Sequence, residues 1–321
     1  MAITSMTIPR QHTVETPYMV GPVHFYTLEY GAEIVLFDTG PPTDTGRLYL
    51  QQHLDLSRLK HVIVTHCHVD HYGQAAWLAK NSGANVYLPQ RDIDKHIHHQ
   101  QRIEGIILLL SELGFDAPYF ELLRESFYRA VVLQLLPEHY LVAEHDLPPH
   151  LGIEALACPG HSQSDLVYCA DGWAVTGDTL LRGIFQSPLL DMDLETGGRF
   201  KNYEAYCSSL ASLASLGARQ VLPGHRQTIE SVEATILFYV CKILQRVRQL
   251  RTKIDCGSVA ELINRVFSQM KDPFHIYLKA SEIVFMRDFW ANPELLRAAL
   301  EAIGLFDKVS ERYFAVFDQA K

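Results

Sequence analysis

The chain has 321 residues, 48% of them hydrophobic and 20% charged, with a formal net charge of -9. That length suits one large domain or a domain with an appendage, and the composition supplies a sizeable core without a lipid-facing surface. There is no apolar run near the ~18 residues of a spanning helix, no basic-then-apolar leader and no basic stripe of a nucleic-acid binder. The expectation is a cytoplasmic protein acting on a small molecule, with a membrane excluded and a nucleic-acid partner disfavoured.

In chain order, residues 33–37 (EIVLF) form an apolar run that ends at Asp38-Thr39-Gly40, a strand followed by a turn. Residues 43–54 suit a helix. Residues 61–65 (HVIVT) read as a second buried strand and run straight into His66-Cys67-His68-Val69-Asp70-His71. A helix at 74–80 and a strand at 85–88 follow. From 92 to 136 the chain reads as helical, with Ile103, Ile106, Ile107, Leu110 and Leu113 spread over every face. This is a helical insertion between two strand-rich halves. Its apolar surface is expected either to roof the functional site as a pocket for an acyl or aromatic group, or to pack against the tail helices or a second subunit, which leaves room for a homodimer.

Strand character returns at 153–157, 166–169 and 173–176. A helix at 203–216 and a short strand at 220–222 come next. Beyond 230 the pattern is mostly helical, at 232–251, 259–270 and 294–303, with a closing strand at 313–316. The expected division is 1–230 as a catalytic domain and 231–321 as a helical appendage. The six cysteines are scattered without a C-x-x-C pair, so they read as reduced, mostly buried thiols.

Seven side chains carry the chemistry: His66, His68, Asp70, His71, His161, Asp178 and His225. Four lie in one run; the others sit in Pro-Gly-His161-Ser, Gly-Asp178-Thr and Pro-Gly-His225. Side chains two apart on extended backbone point the same way, so His66 and His68 can reach one ion. Asp70 and His71 lie where the chain turns into a helix and suit a second ion. The expected sets are His66, His68 and His161 on the first ion, and Asp70, His71 and His225 on the second. Asp178 bridges them, since a carboxylate has two oxygens to share. Two divalent ions, zinc first and iron or manganese behind it, would make hydroxide available near neutral pH. The expected chemistry is hydrolysis of a carbonyl ester, thioester or lactone by a hydroxide shared between the ions, with Asp70 and Asp178 serving catalysis. Tyr203 or Tyr206 is the candidate to hydrogen-bond a developing oxyanion. His96, His98 and His99 read as a solvated face, and His145-Asp146 as surface.

At these residues the chain resembles the metallo-β-lactamase superfamily. T-H-C-H-V-D-H matches the family's H-x-H-x-D-H pattern, and P-G-H-S, G-D-T and P-G-H match its later ligands in order. The resemblance covers about residues 15 to 230. It implies an αββα sandwich with the metals at one edge, and it makes Asp38 a buttress of the metal-binding loop. It leaves the substrate open. Flavodiiron relatives carry Glu where His68 stands, and many zinc β-lactamases lack the His at position 71, which speaks against an antibiotic-degrading role. Arg226 stands where Gly is common in the family; it would meet a substrate carboxylate or phosphate, or else lie solvated. The tail resembles the winged-helix-like appendage of some members. Competing readings are a mononuclear iron oxidoreductase of the persulfide-dioxygenase type, a regulatory protein with a structural metal site, and a phosphodiesterase.

Overall fold

The computed structural model describes residues 8–128, 135–253 and 257–318. Among these residues ten strands build two sheets. The first contains β1 (Arg10–Val14), β2 (Val23–Tyr30), β3 (Glu33–Phe37), β4 (Leu59–Ile63), β5 (Asn85–Leu88) and β6 (Leu141–Val142), in that spatial order. β1 to β3 are antiparallel and β3 to β6 parallel. The second sheet has the order β10-β9-β8-β7, from β7 (Glu154–Ala157), β8 (Leu166–Ala170), β9 (Trp173–Gly177) and β10 (Gln220–Pro223). β7 to β9 are antiparallel, and β9 and β10 run parallel.

The stretches Ile34–Phe37 of β3, Val62–Ile63 of β4 and Val86–Leu88 of β5 are apolar because both faces are covered there. Val35, Phe37, Ile63 and Tyr87 point between the sheets and meet Leu166, Tyr168, Val175 and Trp173. Their neighbours Ile34, Leu36, Val62 and Val86 point outward onto Leu50, Tyr72 and Leu78 of the covering helices. A third core lies on the outer face of the second sheet. It joins Val167, Cys169 and Val221 to the helices Asn202–Ala214, Val232–Leu250 and Pro273–Ala291. The layers are therefore helix, sheet, sheet, helix, with a helical C-terminal extension.

The described part of the insertion contains three helices, Gln90–Ile97, His99–Glu112 and Ala117–Tyr128. Of the two roles open to it, its buried residues take the packing one. Ile103, Ile106, Leu110, Leu123 and Phe127 belong to the same core as Tyr277, Ile283 and Phe289 of the extension. Tyr119 donates to the Pro273 carbonyl at 3.0 Å, and the amide of Ala260 donates to Leu113 O at 3.1 Å. Residues on both sides of position 230 thus share one core.

Several elements differ from the sequence reading. Residues 313–316 are not a strand: Tyr313 lies in the helix Ser310–Phe314, and its ring packs against Phe289, Phe306 and Phe317. The four-residue spacing of Tyr313 and Phe317 suits helix, and the winged-helix likeness loses its strand. The helix at 259–270 ends at Val266. The helix Pro273–Ala291 and the strands β1 and β2 were not resolved as elements from sequence. No helix among the described residues is long and apolar enough to cross a membrane.

Candidate metal centre

The centre lies where the parallel strands end. β3 stops at Phe37 and β4 at Ile63, and the loops beyond them carry Asp38 and the His66–His71 run. The β7–β8 connection carries His161, β9 delivers Asp178, and β10 delivers His225. The two sheets are tied at this edge by Leu166 N donating to Thr65 O at 3.0 Å, by His24 N donating to Gly224 O at 2.6 Å, and by a bridge between Val23 and His225.

All seven predicted donors converge. Three overlapping groups, His66/His68/His161, His66/His71/Asp178 and Asp70/His71/His225, each keep their donor atoms within 4.8 Å and could hold a metal ion. In the first group, His68 Nδ1 lies 2.8 Å from His66 Nε2 and 3.1 Å from His161 Nε2. In the last, His225 Nε2 lies 3.3 Å from Asp70 Oδ2. Asp178 stands between them: Oδ1 is 3.5 Å from His71 Nε2 and 3.7 Å from His225 Nε2, while Oδ2 is 3.9 Å from His161 Nε2.

Four of the five imidazoles are aimed by their other nitrogen, the arrangement by which outer partners fix a metal ligand's tautomer. His161 Nδ1 donates to Ser187 O at 2.7 Å, and His225 Nδ1 to Pro22 O at 2.7 Å. His71 Nδ1 lies 2.8 Å from Asp38 Oδ2, and His66 Nδ1 lies 3.1 Å from Thr65 Oγ1. Asp38 also accepts the Thr65 amide at 2.8 Å and the Thr65 hydroxyl at 2.9 Å. It does so from a left-handed backbone, φ 58°, a conformation that Asp tolerates better than most residues.

The donor set fits divalent cations. His71 Nε2, His225 Nε2 and Asp178 Oδ1 are buried and have no hydrogen-bond partner among the described residues. Orphaned buried polar atoms are costly unless something fills the space between them. Burial, helped by His71 and His68, holds His66 well below the usual imidazole range. Burial and the neighbouring His161 hold His68 down at about 3. These two rings therefore offer free lone pairs at neutral pH. The other half behaves oppositely. Burial alone would lower His71 and His225, but Asp178 with Asp38 outweighs it at His71, and Asp178 with Asp70 outweighs it at His225, so both are raised. Burial likewise works against ionising Asp178, yet His225 and His71 hold its carboxyl well below the usual range.

Glycines in the motifs serve approach. A Cβ on Gly224 would stand 2.5 Å from the His71 ring and 2.8 Å from Asp178 Oδ1, and one on Gly177 would stand 2.6 Å from Thr65 Oγ1. Arg226 is exposed and left-handed at φ 68°, and its carbonyl accepts from His24 Nε2 at 2.6 Å.

Tyr203 does not face the donors. Its hydroxyl donates to Asn292 O at 2.9 Å and accepts the Leu296 amide at 3.1 Å, with its ring edge-on to Phe285 and Phe289. It anchors the extension, which overturns its expected oxyanion role. Tyr206 packs its backbone beside Gly160, next to His161, and its buried hydroxyl has no hydrogen-bond partner among the described residues. His98 is exposed, but His96 is partly covered, edge-on to Tyr72. His145 and Asp146 are exposed, as expected.

Sequence reasoning missed a buried polar network behind the first group. Lys95 Nζ reaches Asp92 Oδ1 at 2.5 Å, Ser164 Oγ at 2.9 Å and Ser162 Oγ at 3.1 Å. Asp92 in turn accepts the Cys67 amide at 2.6 Å and the Ser164 hydroxyl at 2.7 Å. It clamps the first insertion helix to the loops of His66, His68 and His161. The i,i+3 Asp-Lys pair and the S-x-S beside His161 are visible in sequence, but nothing there says that they meet. Tyr18 was also missed: burial and the nearby Asp70 charge push its phenol up to about 12.

The model of the metallo-β-lactamase superfamily matches residues 18–225, more than half of the chain. The chain belongs to that superfamily. It is 28% identical over 268 residues to the "Probable metallo-hydrolase YqjP" of Bacillus subtilis (strain 168), a match spanning 75% of this chain and 79% of that protein. Among solved structures, the metallo-β-lactamase family protein TTHA1429 from Thermus thermophilus aligns with a TM-score of 0.65 at 22% identity, over 88% of this chain and 94% of its own. A β-lactamase domain protein from Burkholderia ambifaria aligns with a TM-score of 0.70 at 19% identity, over 88% and 87%. At these identities the two structures speak for the fold, and it extends across the helical parts as well as the superfamily core.

Proposed function

We propose that this protein is a metal-dependent hydrolase that cleaves a carbonyl ester, thioester or lactone with two divalent cations, zinc before iron or manganese. The observation that carries the reading is Asp178, whose two oxygens face two different donor groups, at 3.5 and 3.7 Å on one side and 3.9 Å on the other. His66, His68 and His161 would hold one cation and Asp70, His71 and His225 the other. Cations bound there supply hydroxide near neutral pH and a Lewis acid for the carbonyl. The name of the Bacillus relative supports the reaction class.

The chain's own residues do the orienting. Asp70, fixed 3.3 Å from His225, has a second oxygen with which to align the attacking water. Tyr206, whose buried hydroxyl has no hydrogen-bond partner among the described residues, would be the residue to meet the oxyanion, and Arg226 would meet an anionic part of the substrate from the rim. A single-iron oxidation would use the first group and Asp178 alone and leave the buried donors of the second idle. A cytoplasmic setting belongs to the same reading, supported by five cysteines without disulfides among the described residues.

The test is elemental analysis of the purified chain and of Asp178→Ala, paired with esters and thioesters of graded acyl size, aromatic esters, lactones and phosphodiesters. Carbonyl substrates should turn over. The variant should lose metal and activity by more than the roughly 100-fold that outer-partner changes cost. One iron per chain with oxygen consumption, or turnover confined to phosphodiesters, would overturn the proposal.

A further inference from the structure

The alternation of β3 and β4 puts a polar group where the inter-sheet core ends. Glu33 shares its face with Val35 and Phe37, and His61 shares its face with Ile63, so both point between the sheets at the end opposite the metal centre. His150, in the short turn Pro149–Leu151, closes over them from the connection into the second sheet. His61 precedes His66 by five positions, which at full extension would put this group up to roughly 16 Å from the centre described above.

We propose that Glu33, His61 and His150 form a separate zinc site at the foot of the sandwich. Glu33 Oε2 lies 3.5 Å from His61 Nε2 and 3.6 Å from His150 Nε2, and all three donor atoms fall within 4.8 Å of one another. Zinc takes imidazole and carboxylate at about 2.0–2.2 Å, which gives a tetrahedral edge of roughly 3.4 Å. Separations of 3.5 and 3.6 Å need only a small contraction to meet it. Oε2 of Glu33 is also shut off from solvent and has no hydrogen-bond partner among the described residues. An oxygen so placed, aimed at two imidazole nitrogens, is short of a cation.

The outer partners suit a ligand set. His61 Nδ1 lies 3.0 Å from the Tyr87 hydroxyl, which leaves Nε2 for the metal. The backbone of His150 is held by Tyr30, whose hydroxyl donates to its carbonyl and whose ring packs edge-on against the imidazole. The His150 side chain is half exposed, so an ion has an entry path, and three protein donors leave a fourth position to water. A zinc here would tie β3 and β4 to the chain entering the second sheet. It would act as a structural clip, independent of the hydrolytic reading.

The test uses the full chain, stripped by chelator and titrated with Zn²⁺, for wild type, Glu33→Gln, His61→Ala and His150→Ala. Bound zinc is read by elemental analysis after buffer exchange. Each variant should bind one equivalent fewer than wild type and keep wild-type turnover of any substrate. Zinc-induced stabilisation in thermal melts should be smaller for each variant. His150→Ala alters an exposed side chain and so reports on binding even if His61→Ala fails to fold. Equal zinc content in wild type and His150→Ala, with equal zinc-induced shifts in melting temperature, would show that zinc enters only the other centre and would overturn the proposal.

Discussion

Among the described residues, two hold left-handed backbone without being glycine, and they flank the donor set. Asp38 is compensated by three hydrogen bonds and the His71 contact. Arg226 is not compensated in that way: its side chain is exposed, and among the described residues it is held through its carbonyl. An L-residue in this region costs on the order of 1–2 kcal/mol, and strain retained beside a site is a reason to look for a use. Arg226→Gly should therefore raise the melting temperature by a few degrees, equivalent to about 1 kcal/mol. It should also raise KM for anionic carbonyl substrates while leaving neutral ones unchanged. Thermal melts and paired kinetics check both halves. An equal KM change for charged and neutral substrates would remove the anion-binding role.

At the level of elements, the first insertion helix Gln90–Ile97 is fastened to the metal loops by a buried pair, not by apolar packing alone. Asp92 and Lys95 are both almost wholly buried. Removing one partner of such a pair leaves an uncompensated charge and costs about 3–5 kcal/mol, whereas removing both charges costs far less. Lys95→Met should lose that much in urea unfolding, and Asp92→Asn/Lys95→Met should regain more than half of it. A double variant no more stable than the single one would mean that the lysine acts through its serine contacts instead. This network also marks the limit of what the sequence tells. The seven donors were legible because each sits in a short motif with glycine or histidine neighbours. Lys95 meets Ser162 and Ser164 across about seventy residues, and His150 meets Glu33 across more than a hundred, with no motif to announce either. Elements were lost for a related reason. Pro273–Ala291 is buried on most sides, from Tyr277 through Phe289, so it has no amphipathic stripe to read. In 313–316 a short apolar cluster suits strand and helix alike, and only Phe289 and Phe306 decide it.

The whole molecule is two sheets packed through an apolar core, and the donors at its polar edge come from both. His66, His68, Asp70 and His71 follow β4 of the first sheet, and His161, Asp178 and His225 belong to loops of the second. Cations at that edge would bind the folded chain and not the unfolded one, so they add stability by mass action. A site at a thousandfold excess over its Kd contributes about 4 kcal/mol. Chelation should accordingly lower the melting temperature by on the order of 10 °C. The size of the drop should depend on pH, with a definite sign. Without metal, His71 and His225 keep protons above the ordinary 6.5, so their pairing with Asp178, Asp38 and Asp70 is in full force below that value. That contribution fades as pH rises through their raised pKa values. With metal, the same imidazoles must give up their protons, so affinity grows with pH. Both effects widen the gap between metal-loaded and chelated protein from pH 6 to pH 8. Calorimetric melts of the two forms at those pH values measure it. A gap that is absent, or that narrows with rising pH, would mean that the cluster is held together by its own ion pairs and that a cation is not what it was built around.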